Sequence, residues 1–193
     1  MIYVMQSAAP GERIVHLGRF HPLYTFAAVI NVVLGVIFGV AVYVAAIYGQ
    51  MQMGLPLSIR KWDLDDSWLS IIFKLHPAVH FIAGAFVLIG AYKCLYMLVA
   101  RATTEIAITT ERVVYKHGLV ARYVGEMNIE RIEGVNVYQS FLGRMLDFGQ
   151  VVIHGMGVGQ IVLPPIVNPI KFRRGIEYAR TLKEEDDDKK RGR

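Results

Sequence analysis

The chain has 193 residues, 54% of them hydrophobic, and a formal net charge of +5. Its single cysteine, Cys94, excludes an internal disulfide and a cysteine-built zinc site. The basic excess is small and interleaved with acidic residues, which points away from nucleic acid and towards the anionic headgroups of a membrane. Most of the apolar excess lies before residue 101.

Residues 1–22 read as an N-terminal segment carrying Arg13 and Arg19. Residues 23–49 contain no charge. A bilayer core takes roughly 20 apolar helical residues, so this stretch is long enough to span. It exceeds the roughly 7–15 apolar residues of a signal peptide and lacks a clear cleavage site, so it is expected to stay as an anchor. Residues 50–76 form a loop. Within it, residues 67–75 have the make-up of an interfacial segment, with Trp68 and Lys74 suited to the headgroup zone. Residues 77–100 form a second span with one charge, Lys93.

Two spans put both chain ends on one side. Arg13, Arg19, Arg101, Arg112 and Lys116 flank them there, against Arg60, Lys61 and Lys74 in the loop. The positive-inside rule then places both termini in the cytoplasm and the protein in the inner membrane. Asn31 and Lys93 are the polar residues of interest within the spans. Each lies about 11–12 Å from the cytoplasmic ends at helical rise. Three readings stay open for the lysine: a side chain that snorkels to the headgroups, a clasp with Asn31, or part of an ion or proton pathway. Gly35 and Gly39 form a G-x-x-x-G step expected to face Gly90 and Gly84. His76 and His80 share a helix face. No third ligand accompanies them, so they read as headgroup-level histidines.

From residue 101 the pattern becomes β-rich. Strands are expected at 103–109, 112–116, 120–129, 134–138, 150–154 and 160–167, with a helical turn at 141–146 and a glycine turn at 155–159. Asn168 and Pro169 open a helix. Ile170, Phe172, Ile176, Tyr178, Ala179 and Leu182 lie mostly on one of its faces. This domain covers 101–182. Residues 183–193 (KEEDDDKKRGR) are expected to be a charged, disordered tail.

Several local motifs occur in order. Thr109-Thr110-Glu111-Arg112 precedes a Lys116-His117-Gly118 turn. An I-x-x-I strand follows at Ile129 and Ile132, then V-x-Q-S-x-x-G-R from Val137 to Arg144. A strand led by Gly149 and an N-P helix start complete the set. Together they resemble the membrane-flanked bacterial pleckstrin-homology-like (PH-like) domain family over roughly residues 102–180 and the two spans. The resemblance implies a membrane helical hairpin joined to a mainly-β barrel, seven strands in two bent sheets with a C-terminal helix across one open end. It supplies no catalytic residue. Eukaryotic PH domains that bind inositol phosphates concentrate basic residues in the first hairpin, whereas this one carries only Arg112 and Lys116, with Glu111 directly before them.

The candidate interaction or lipid-facing residues are Arg131, Phe141, Leu142, Arg144, Lys171, Arg173 and Arg174. Phe141, Leu142 and Met145 have two readings, as a plug inside the barrel or as a protein-contact surface. No nucleophile–base pair or metal set is evident, and no cofactor or small-molecule substrate is expected. Glu130, Glu133 and His154 lack a pocket for acid–base work. The expected function is a non-enzymatic membrane protein that presents a PH-like scaffold at the cytoplasmic face. It would assemble with itself or with another membrane protein. The alternatives are an anionic-lipid-binding or lipid-handling module and a small transporter or channel subunit.

Overall fold

The computed structural model describes residues 2–54, 67–119, 121–157 and 159–192. Most of the expected loop, residues 55–66, lies outside the described residues. The chain divides into two compact units, one of residues 23–98 and one of residues 1–22 with 99–193.

The first unit is helical: α2 (Pro22–Met53), α3 (Trp68–Lys74) and α4 (Pro77–Thr103), with α1 placed in the other unit below. Both long helices are apolar enough to cross a membrane, and only 17% and 11% of their most apolar windows are buried within the protein. A core helix of a soluble fold would be mostly covered. Here Phe38, Val40, Phe81 and Leu88 all point outward.

Backbone proximity holds α2 against α4. A Cβ on Gly35 would stand 2.7 Å from the Phe86 carbonyl oxygen, and one on Gly90 2.5 Å from that of Asn31. The expected Gly35–Gly90 apposition is therefore present. The expected Gly39–Gly84 pair is not, because Gly39 faces Ala83 and Val87 while Gly84 has open space beside it. The Asn31–Lys93 clasp is also absent. The Asn31 amide donates to the Ala27 carbonyl at 2.7 Å and lies 3.7 Å from the Met97 sulfur, while Lys93 is exposed. At the other end of the pair, Leu75 and Ile71 pack on Ala46 and Val79, and the Tyr43 hydroxyl meets His80 Nδ1 at 3.1 Å.

The second unit opens with α1 (Ile2–Ser7) and β1 (Ile14–Gly18). After the helical unit come β2 (Glu105–Thr109), β3 (Arg112–His117), β4 (Tyr123–Asn128), β5 (Ile132–Tyr138), α5 (Phe141–Met145), β6 (Phe148–Gly155), β7 (Gly159–Val162), β8 (Ile166–Val167) and α6 (Pro169–Arg191). One antiparallel sheet has the order β1-β2-β3-β4; the other is β5-β6-β7, with β8 also on β6. The expected strand at 160–167 is interrupted at Pro164 and Pro165, which cannot donate to a ladder.

The inward faces of both sheets form one core. Ile106, Ile108, Val113, Val151, Ile153 and Leu163 meet Phe172, Ile176 and Ala179 of α6. Ile170 and Tyr178, expected on that face, are exposed instead. The expected disordered tail is helical over residues 183–191, where α6 continues to Arg191. Lys183 anchors it to Glu111 at 2.8 Å and Glu130 at 2.9 Å.

The N-terminal segment departs most from expectation, because it is part of the sheet. Leu17 pairs with Ala107 and Gly18 with Ile106. All five residues of β2 are buried, since its outer face lies under α1, where Val4 packs on Ala107 and Val114.

The helix pair generates a prediction. Gly90→Ile should cost about 1–3 kcal/mol through overpacking, whereas Gly84→Ile should be near neutral. Thermal unfolding of the detergent-solubilised chain distinguishes the two.

Candidate interaction surface

Strand register defines one end of the domain. In the antiparallel β1–β2 ladder Gly18 lies opposite Ile106. The chain leaving β1 for α2 and the chain arriving from α4 into β2 are therefore neighbours. Both chain connections to the helical unit therefore lie at this end of the domain.

The register brings other segments to the same place. Lys116 pairs with Glu105, and His117 pairs with Tyr123, so the β3–β4 turn is here. Phe20 bridges to Ile166, Val167 N–H donates to the Arg19 carbonyl at 2.9 Å, and β8 pairs with Phe148 and Gly149. The start of β6 and the first turn of α6 therefore lie here too. The β6–β7 turn is at the opposite end, where Met156 N–H donates to the Arg131 carbonyl.

Helix α5 sits on this helix-bearing end through a polar bracket. Ser140 Oγ caps it by accepting from Gly143 N–H at 3.1 Å. Gln139 Nε2 donates to the carbonyls of Phe148 at 3.1 Å and Gly143 at 3.3 Å. Gly143 has no room for a side chain, because a Cβ would lie 2.7 Å from the Phe148 oxygen. These are the Q-S-x-x-G positions of the sequence motif, and their chemistry is structural. What they hold outward is apolar: Phe141 is 79% exposed, Leu142 61% and Met145 68%. These exposed side chains therefore do not plug the barrel. Phe148, the base of the bracket, has His21 beside its ring at 5.0 Å.

Next to it, a depression of about 580 Å³ is lined by His16, Arg19, Asn168 and Lys171, among others. Burial, and then the Lys171 charge, hold the His16 imidazole below its usual range. The depression is thus kept basic by Arg19 and Lys171.

Of the seven candidate residues, Phe141, Leu142, Arg144 and Lys171 gather at the helix-bearing end. Arg173 pairs with Glu177 on the exposed side of α6 at 3.2 Å, and Arg174 is exposed beside it. Arg131 is at the far end. Glu130 is held by Lys183, and His154 Nε2 meets the Asn136 amide at 3.2 Å. The carboxylate and the imidazole thus belong to separate contacts. No group of three or more His, Cys, Asp or Glu residues that could hold a metal ion occurs among the described residues.

The basic residues of the first hairpin are engaged inside the domain. Arg112 pairs with Glu12 at 3.2 Å and Glu126 at 2.9 Å. Lys116 Nζ lies 3.2 Å from Glu105. Glu105 also accepts from the backbone N–H groups of Tyr3 and Val4, which fixes α1 on the sheet. Sequence reading missed this contact. The available signal was Val113-Val114, adjacent apolar residues that require cover on both faces of β3.

A family model described as a bacterial PH domain matches residues 68–183. That is more than half of the chain, and the chain belongs to this family. No curated protein and no solved structure matches it.

The Glu105 cluster predicts a pH dependence. Burial raises the carboxyl, but the Val4 amide, Lys116 and the Tyr3 amide outweigh burial and hold it below its ordinary value of 4.5. A depressed folded pKa gives stability that is complete above the unfolded value and lost as pH falls through the folded one. Glu105→Gln should therefore lower the melting temperature by about 5 °C at neutral pH. The gap to the unmodified chain should close as pH falls below 4.5. Thermal melts across pH check this.

Proposed function

We propose, from its membership of the bacterial PH domain family, that the protein is a non-enzymatic inner-membrane anchor. It presents its PH-like domain at the cytoplasmic face and assembles there with itself or with another membrane protein. The observation that carries this reading is the β1–β2 ladder. A strand before the first apolar helix pairs with a strand after the second. Two crossings return the chain to the side it left, so a membrane hairpin is compatible with that pairing and a single crossing is not.

The mechanism is tethering with fixed orientation. A domain held by two connections at one end loses most of its freedom to tumble. Its exposed surfaces then meet a membrane-bound partner at high effective concentration. The basic residues near the span ends, Arg13, Arg19 and Arg101, favour the cytoplasmic side. The intramembrane polar residues lend little to a channel reading. Asn31 is engaged with its own helix, and no acidic residue lies in either span to make a relay with Lys93.

Two measurements test this. In a Cys94→Ser background, Asp187→Cys should react with an impermeant thiol reagent in inverted vesicles and stay protected in right-side-out ones. Native mass measurement from membrane nanodiscs should find a defined oligomer or a membrane-protein partner. A tail labelled from outside, or a solitary monomer, contradicts the reading.

A further inference from the structure

Helix α5 displays apolar side chains that no described residue of the domain covers. We propose that α5 is a wedge that docks on the membrane to which the protein is anchored. Phe141, Leu142 and Met145 enter the headgroup–acyl boundary of the cytoplasmic leaflet, and Arg144 stays among the lipid phosphates. This rests on the anchoring and orientation given above, and is independent of the partner.

Three observations converge on lipid as the occupant. The first is continuity with the span. His21, the residue before the helix that begins at Pro22, lies 5.0 Å from the Phe148 ring. Phe148 is also the residue whose carbonyl is gripped by the α5 bracket. The wedge is therefore one side chain removed from the point where the chain turns into its first apolar helix.

The second is composition. Consecutive exposed apolar residues on one short turn are unusual in a domain facing water. They suit an interfacial segment whose apolar side sinks about 5–10 Å into the leaflet. Arg144 on the same turn, with Arg19 and Lys171 in the adjoining depression, supplies the basic rim that anionic headgroups attract.

The third is rigidity. The Ser140 cap, the Gln139 bracket and the side-chain-free Gly143 fix the turn to the domain without using any of its apolar residues. The β3–β4 turn at the same end adds exposed Leu119 and Tyr123, a second contact of interfacial character. Docking at two connections and two turns would hold the domain still on the leaflet and leave its far end, with Arg131 and Met156, free for other contacts.

The test uses the full chain in vesicles of phosphatidylcholine and phosphatidylglycerol, with and without bromine on the acyl chains. Trp62 and Trp68 are replaced by Phe, and one tryptophan is placed at a time. Tyr92→Trp, on the exposed face of the second span, reports bilayer contact. Met156→Trp reports the far end. The wedge predicts that Phe141→Trp and Met145→Trp lose most of their emission to brominated lipid, approaching Tyr92→Trp, while Met156→Trp keeps its emission. Emission at 141 and 145 that is insensitive to bromine and quenched by aqueous acrylamide overturns the wedge and leaves the anchoring intact. Emission shielded from both quenchers also overturns it, in favour of a protein occupant. Loss of quenching at Tyr92→Trp overturns the anchoring and the wedge together.

Discussion

The backbone ladder between β1 and β2 is the constraint on which the rest depends. Leu17 and Ala107 are 90 residues apart in the chain, yet they are direct partners. Strand amides and carbonyls must find partners when covered. Residues 14–18 and 105–109 find them in each other. Closing so long a loop costs little more than closing a shorter one, because the entropy grows only with the logarithm of length. The close packing of α2 on α4 through Gly35 and Gly90 reduces that cost further by keeping the loop compact.

This pairing makes the domain discontinuous, and its other features follow. β2 becomes an interior strand and needs cover on both faces. Ile106 and Ile108 turn into the barrel, and Ala107 turns out under α1. The carboxylate of Glu105, at the start of the same strand, binds the first amides of α1 and the Lys116 ammonium. Basic groups that could have met a free anion at the first hairpin are thereby neutralised within the fold. Exposed charge and apolar surface are found at α5 and the Arg19–Lys171 depression, beside the two chain connections.

Features governed by local chemistry were legible in the sequence. The two apolar helices follow from length and lack of charge. The start of α6 follows from Asn168 and Pro169, with Asn168 taking the left-handed conformation at φ 50°. α5 and the alternating strands after residue 104 were also readable. Distant partners decided the rest. The segment IVHLG is too short to announce a strand without knowledge of β2. The tail is highly charged, but Lys183 reaches Glu111 and Glu130, and the helix persists. Gly35 and Gly39 of the G-x-x-x-G step both face α4 closely, but the rotation of α4 puts Ala83 rather than Gly84 opposite Gly39. Phe141 and Leu142 stand out in the sequence as an apolar pair in the Q-S-F-L-G-R run. Their place beside the chain connections needed the ladder register.

Covalent capture of the ladder is the most direct test of this account. In a Cys94→Ser background, Leu17→Cys and Ala107→Cys place thiols on directly opposed residues. Such a pair lies within disulfide reach. A protease site inserted between residues 55 and 66 then separates the two halves of the chain. The account predicts that oxidation in native membranes joins the two halves of one molecule, so that they stay together after cleavage until reductant is added. Halves that separate without reductant, or a disulfide found only between molecules, would contradict it.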